Sequence, residues 1–403
     1  MKILLVNQVF YPDAAATAQY LSDLAIELRK SGHEVTALAS RRQYFSPYLP
    51  YAAHENYQSI QIIRVWPFTF GRNTKISRIL DALFLNLAFF VKLLQLQKFD
   101  CVVALTSPPL VAWAACWVSK WRKSRFIYWV MDMNPDEAIA MGWLKKNSLT
   151  SQILETASRW TFKNSERIIA LDKSMQSRIV AKGIDAAKIA VIPPWSHDED
   201  LRPVTHEQNP FRKQYHLENK TVVMYSGNHS ICHPLDTILE AARMLKEDGR
   251  IAFLFIGGGA RFKDVSEFKT KYGLTNIVQL AYQPRSEMKF SLSAADVHLV
   301  VMGEAMSGIV HPCKIYGILT VGRPFVYVGP AHSHVVDLIH EGAAGYAVQH
   351  GEVQKLTAII RQNQKASQVE TEAMRVKNQT IAGRFSAKVL MQKMVGEITG
   401  VLE

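Results

Sequence analysis

The stretch Gly308–Pro330, GIVHPCKIYGILTVGRPFVYVGP, decides the reading of the fold. Ile315, Ile318 and Leu319 fall at helical spacing. Pro312 stands just ahead of them, a favoured first-turn position. Gly322 marks the stop and Pro324 forbids continuation. The spacing therefore predicts a short helix, followed by a buried strand in PFVYVG. Lys314 falls in the first turn, where the helix dipole disfavours a cation by about a few tenths of a kcal/mol. An anion at the same spot reverses that sign, because the amides and the ammonium then both face it. A diphosphate is a group of the right size and charge.

The same strand–helix alternation extends in both directions. Upstream lie KILLVNQV, EVTALAS, IQIIRVW, FDCVVALT, RFIYWVMD, RIIALD and KIAVIP. Helical patterns separate several of them, such as TAQYLSDLAIELRKSG with Leu21, Leu24, Ala25 and Leu28 on one face. PPWSHDEDLRPVTHEQNP, from Pro193, is polar and proline-rich, the composition of a linker. A second series follows in TVVMYSG, a helix over 235–248, IAFLFIGGG, NIVQLA and DVHLVVM. From about Glu352 the tail is mostly helical. The expected fold is α/β, with two Rossmann-like parallel-sheet domains facing each other across a cleft. They cover residues 1–195 and 196–380, and a helix over 381–403 packs back toward the first.

Four loops carry candidate chemistry. YPDAAATAQY offers small residues, Ala14, Ala15 and Ala16, at a helix start where a phosphate can approach the amides. YSGNHSICHP brings Gly227, Asn228, His229 and His233 to another strand end. FIGGGARFK presents Gly257, Gly258 and Gly259, but Phe262 at the sixth position excludes a dinucleotide fingerprint. WVMDMNPDEA places Asp132 and Asn134 just past a strand. His229, Cys232, His233, His311 and Cys313 form an alternative zinc set, but no C-x-x-C pair exists. Histidines and a lysine facing an anion are the simpler account.

The 403 residues are 48% hydrophobic and 20% charged, an ordinary globular composition. Four cysteines in so long a chain suit a reducing cytosol. MKILLVNQVF suits a first strand better than a signal peptide. The net charge of +12 is concentrated in the first half, which favours an anionic substrate or surface there. RILDALFLNLAFFVKLL is shorter than the roughly 20 apolar residues that span a bilayer. It is flanked by Arg72, Lys75, Arg78, Lys92 and Lys98. Trp113, Trp117 and Trp121 recur every four residues, the last of them inside the basic run KWRKSR. Basic ends beside an aromatic stripe fit peripheral contact with an anionic leaflet. The absence of any recognised nucleic-acid module argues against nucleic acid.

Together, FYPDAAATAQYLSDLAIELRKSGHEVTALAS, KIAVIPPW, VVMYSGNHSICHPLDTILEAA, FLFIGGGARFKDV, LAYQPRSEMKFSLSAADVHLV and the opening stretch resemble glycosyltransferase family four, of the GT-B fold. The opening stretch is similar to a subgroup pattern common in surface-polysaccharide gene sets. The resemblance implies a retaining, metal-independent transfer from a nucleotide-diphosphate sugar to a lipid-linked or saccharide acceptor, in cell-surface polysaccharide biosynthesis. Taken with the cysteine usage and the basic, aromatic first half, the expectation is a cytoplasmic enzyme, peripheral on the inner face of the plasma membrane. Donor binding falls mainly to the second domain and acceptor binding to the first.

Carried over by position, Lys314 meets the diphosphate, and Asp132 lies close to the donor sugar. Gly308, Ile309 and Val310 lend backbone amides. Tyr316 and Gly317 lie near the ribose, and Tyr282 and Gln283 near the base. Ala15 and Ala16 stand at the first-domain phosphate loop. The chain departs from the common pattern in four places. Ile309 and Gly317 replace two glutamates, and Asn228 and His233 replace an arginine and a lysine. His233 and His311 would restore positive charge if protonated, making activity fall as pH rises through the imidazole range. A sugar-nucleotide 2-epimerase of the same fold and a non-catalytic scaffold are the alternatives these departures raise.

Overall fold

A computed structural model describes residues 1–13, 15–43, 50–66, 70, 75–196 and 201–400. Ala14, Arg72 and linker residues 197–200 lie outside the described residues, as do the side chains of Lys75 and Arg78. The chain divides into two compact units. The first comprises 1–194, 308–310 and 390–403, and the second 195–307 and 311–389.

In the first unit, eight strands form one sheet: β1 (Lys2–Val6), β2 (Glu34–Ser40), β3 (His54–Tyr57), β4 (Ile60–Val65), β5 (Cys101–Ala104), β6 (Arg125–Trp129), β7 (Arg167–Ala170) and β8 (Ile189–Val191). Their order is β3-β4-β2-β1-β5-β6-β7-β8, and only the β3–β4 pair is antiparallel. The central strands are buried along almost their whole length, as continuous Val/Ile/Leu runs covered on both faces must be. β3 departs from the sequence reading. Its HENY alternates exposed and half-buried positions at the sheet edge, so it has no apolar signature. Gln58 and Ser59, both at positive φ, close a two-residue hairpin into β4. The C-terminal helix Ala387–Thr399 is tied to this unit by Arg167, whose guanidinium meets both oxygens of Glu397 at 2.5 and 2.9 Å.

The second unit carries a wholly parallel sheet of β9 (Thr221–Asn228), β10 (Ile251–Gly258), β11 (Ile277–Leu280), β12 (Val297–Val301), β13 (Phe325–Val328) and β14 (Gly345–Val348). Its order is β11-β10-β9-β12-β13-β14. The helix after β9 spans Asp236–Met244, shorter than the predicted 235–248. Asp248 instead closes a turn by accepting from the Arg250 amide. β14 was also not predicted. Its Gly345 pairs with Phe325, and a Cβ there would fall 2.3 Å from the Phe325 ring. The helix Lys314–Val321 ends where expected, with Gly322 left-handed at φ 71° as its stop, and starts after Cys313 as its N-cap, which leaves Pro312 just outside it.

Candidate functional site

The site in the second unit starts from the β9–β10 pair. These strands stay in parallel register to their last residues, Gly227 opposite Gly257 and Asn228 opposite Gly258. Such close pairing excludes side chains. A Cβ on Gly257 would lie 2.0 Å from the Gly227 carbonyl oxygen, and one on Gly259 would lie 2.2 Å from Asn228 Oδ1. Gly227, Gly257 and Gly259 also have φ of 130°, 140° and 123°, where L side chains are strained. The result is a bare backbone floor beyond the carboxyl ends of two strands, where α/β sheets bind ligands.

Lys314 enters this floor from its helix start. Its Nζ sits 3.5 Å from the centroid of the Tyr225 ring, a cation–π contact. Its Cε and Nζ approach to 3.4 Å the position a Cβ on Gly227 would take. The ammonium is buried and has no hydrogen-bond partner. Burial pushes its pKa down to about 7. A buried cation without an acceptor is a costly arrangement that an anionic ligand would relieve.

The histidines around it are neutral. His229 is fully buried; its Nδ1–H donates to the Gly227 carbonyl at 3.0 Å and its backbone N–H to Gly258 at 2.7 Å. Its Nε2 is buried without a partner. Burial, then the Lys314 charge, pushes His229 down to about 4 and His233 down to about 3. His233 Nδ1 lies 3.2 Å from both the Asn228 carbonyl and the Tyr225 hydroxyl, which itself donates to that carbonyl at 2.8 Å. In the donor-free site burial therefore keeps His233 uncharged, against the expectation that it supplies positive charge. Its ring sits in the desolvated shell of a cation, which no local sequence pattern reveals.

Tyr282 lies over the same floor. A Cβ on Gly258 would come within 3.0 Å of its ring, its hydroxyl donates to the Gly258 carbonyl at 3.5 Å, and it is 44% exposed. Gln283 turns back to the Ala281 carbonyl. Gly317 points elsewhere: a Cβ there would contact Leu292 and Leu201 at 3.4 and 3.6 Å, an apolar lining. His311 and Tyr316 are joined to each other, Nε2 to hydroxyl at 2.6 Å. The structure thus gathers Gly227, Asn228, His233, Gly257, Gly259, Tyr282 and Lys314. Tyr225, read only as a strand residue, is the ring beneath the cation.

The remaining candidates belong to the first unit. Asp132 follows β6, and burial, then the Glu137 charge, pushes its carboxyl up to about 7. The next amide, Met133, donates to the Ile309 carbonyl at 2.9 Å. Gly308, at φ 67°, has no room for a Cβ, which would meet the Ser174 backbone at 2.7 Å. Ala15 is the N-cap of the helix Ala16–Lys30 and contributes no side-chain cap. Val310 is buried. Among the described residues, no three His, Cys, Asp or Glu side chains are arranged to hold a metal.

Known proteins resemble this chain in sequence and in fold. The family described as Glycosyl transferase 4-like domain matches residues 16–195. The chain is 26% identical to the probable glycosyltransferase WbjE of Pseudomonas aeruginosa, across 69% of this chain and 70% of that protein. It is 23% identical to the putative colanic acid biosynthesis glycosyl transferase WcaI of Escherichia coli K12, across 99% and 100%. Among solved structures, Anabaena Alr3699/HepE in complex with UDP and glucose superposes with a TM-score of 0.73 at 15% identity, covering 100% of both chains. The fold is of the GT-B class, α/β with two Rossmann-like domains.

Proposed function

We propose that this chain is a glycosyltransferase of family four that moves a sugar from a nucleotide-diphosphate sugar to a lipid-linked or saccharide acceptor in cell-surface polysaccharide biosynthesis, with retention of anomeric configuration. One observation carries the donor assignment: the buried, unpartnered Lys314 ammonium above a floor of glycine backbone. As the glycosidic bond breaks, negative charge grows on the diphosphate. A preorganised cation in a dry site stabilises that charge without reorganising. Neutral His229 and His233 add hydrogen-bonding capacity without added positive charge, so Lys314 is the cation of this cluster. The reading is further supported by the UDP bound in the HepE structure and by the polysaccharide role in WcaI's name. Asp132, poised near neutrality, can take or give a proton, as an acceptor-side acid–base group requires.

A thermal-shift screen with UDP, GDP, ADP and dTDP tests the donor assignment. At least one should raise the midpoint as ligand is raised in excess, since only the folded form binds. No shift with any of the four favours the scaffold alternative. Release of a free 2-epimerised sugar nucleotide from labelled donor, without an acceptor, favours the epimerase.

The acceptor side of the proposal rests on an exposed apolar face of the first unit. In the helix Lys75–Gln95, Leu85, Phe89 and Leu93 are buried, while Ile79, Leu83, Leu87 and Val91 are exposed at four-residue spacing. The adjoining helix Val111–Trp121 exposes Trp113, Trp117 and Trp121, the last by 63%. Phe90 and Trp117 join the two helices at 5.7 Å between ring centroids. No described helix is long and apolar enough to cross a membrane. An apolar stripe in a basic domain suits shallow insertion into an anionic leaflet. Replacing Leu83, Leu87, Trp117 and Trp121 with serine should lower partitioning onto phosphatidylglycerol vesicles by about tenfold or more, leaving the nucleotide-induced shift intact. Unchanged vesicle binding would remove the membrane role.

A further inference from the structure

The Tyr316 hydroxyl holds two imidazoles. It lies 2.6 Å from His311 Nε2 and 3.0 Å from His334 Nε2. Tyr316 is only 1% exposed, and Phe385 packs on it at 4.8 Å and edge-on against His334 at 6.0 Å. A phenol carries one hydrogen, so it donates to one ring and accepts from the other.

The bridge brackets Lys314. Backbone bonds from Cys313 to the His311 carbonyl and from Tyr316 to the Cys313 carbonyl close the same turn. The His311 and Tyr316 rings stack at 17°. His334 opens a different helix, His334–His340, whose Ser333 cap accepts from the Val336 amide. Ser307 adds a second tie by donating to the His332 carbonyl at 2.6 Å.

We infer that His334 and Tyr316 are positioning residues: their hydroxyl–imidazole bridge anchors the His311–Tyr316 turn to the next helix and so aims Lys314 over the Tyr225 ring. No part of that bridge needs to touch the donor.

The inference builds on the donor site proposed above, and the test separates the two. In protein labelled with carbon-13 lysine, Lys314→Arg identifies the Lys314 ε-methylene signal, which the Tyr225 ring current should shift upfield. In Tyr316→Phe and His334→Leu that signal should move toward the ordinary lysine position, in proteins that still unfold cooperatively with midpoints lowered by only about a few degrees. His334→Gln, whose amide can still hydrogen-bond the phenol, should restore most of the shift. The affinity for UDP should fall about tenfold in the first two variants, because the displaced Lys314 ammonium no longer meets the diphosphate. A Lys314 signal unmoved in Tyr316→Phe overturns the inference. A signal that moves, in a protein whose wild type binds no nucleotide diphosphate, keeps the bridge and removes the donor reading.

Discussion

Lys314→Ala should lower kcat/KM by about two to three orders of magnitude, the range found when one preorganised charge-stabilising group is deleted. The melting midpoint of the donor-free protein should stay level or rise. These opposite signs follow from one fact. The ammonium is desolvated and lacks a hydrogen-bond partner when the site is empty, so it burdens the fold while serving the chemistry. Deleting a merely structural lysine would lower both quantities together. The pH dependence has a definite sign as well. Burial holds the Lys314 amine down to about 7 in the folded chain, below the ordinary lysine value of 10.5 that it regains on unfolding. Between those values the unfolded chain binds more protons, so this group's contribution to stability rises with pH across that window. The donor-free wild type should therefore gain stability relative to Lys314→Ala as pH rises from about 7 toward 10.5. A constant difference in denaturation midpoint across that range would refute the buried-cation description.

The second large effect is on the glycine floor. Gly257→Ala would place a Cβ 2.0 Å from the Gly227 carbonyl oxygen, on a backbone at φ 140°. Neither partner is a flexible side-chain tip, so β9 and β10 must separate. Strain and overpacking together should cost about 3 kcal/mol or more, and the nucleotide-induced thermal shift should vanish with the displaced backbone. Gly183→Ala is the control. It has φ 84° but nothing within 4 Å of the added carbon. It should cost only about 1 kcal/mol, with the nucleotide shift kept. Equal costs at the two positions would show that β9 and β10 are not packed at their ends as described.

The parts of this fold that the sequence reveals are those whose cause is local. β2, β9 and β10 are visible because strands buried on both faces need uninterrupted apolar residues. The helix Lys314–Val321 is visible because Pro312, the Ile315–Ile318–Leu319 spacing and Gly322 each impose a backbone constraint of their own. β3 and β14 escape because an edge strand need not be apolar, and their composition does not distinguish them from turns. The site divides the same way. The place of Lys314 at a helix start follows from its neighbours in the chain. The Tyr225 ring beneath it, the action of its charge on His229 and the tie from Tyr316 to His334 join residues 89, 85 and 18 positions apart. The charge state of His233 is the clearest case. A histidine near a phosphate site suggests a cation, yet burial beside an existing cation makes it neutral.

The most direct measurement of the Lys314 assignment is a calorimetric titration of the binding nucleoside diphosphate at pH 8, in two buffers of different ionisation enthalpy. With the amine near 7 in the empty site, most of the donor-free protein carries it neutral, and a diphosphate should draw it into the charged form. The account predicts uptake of close to one proton per ligand bound by the wild type, and none by Lys314→Ala, which should also bind more weakly. Equal affinity and equal proton uptake in the two proteins would contradict it.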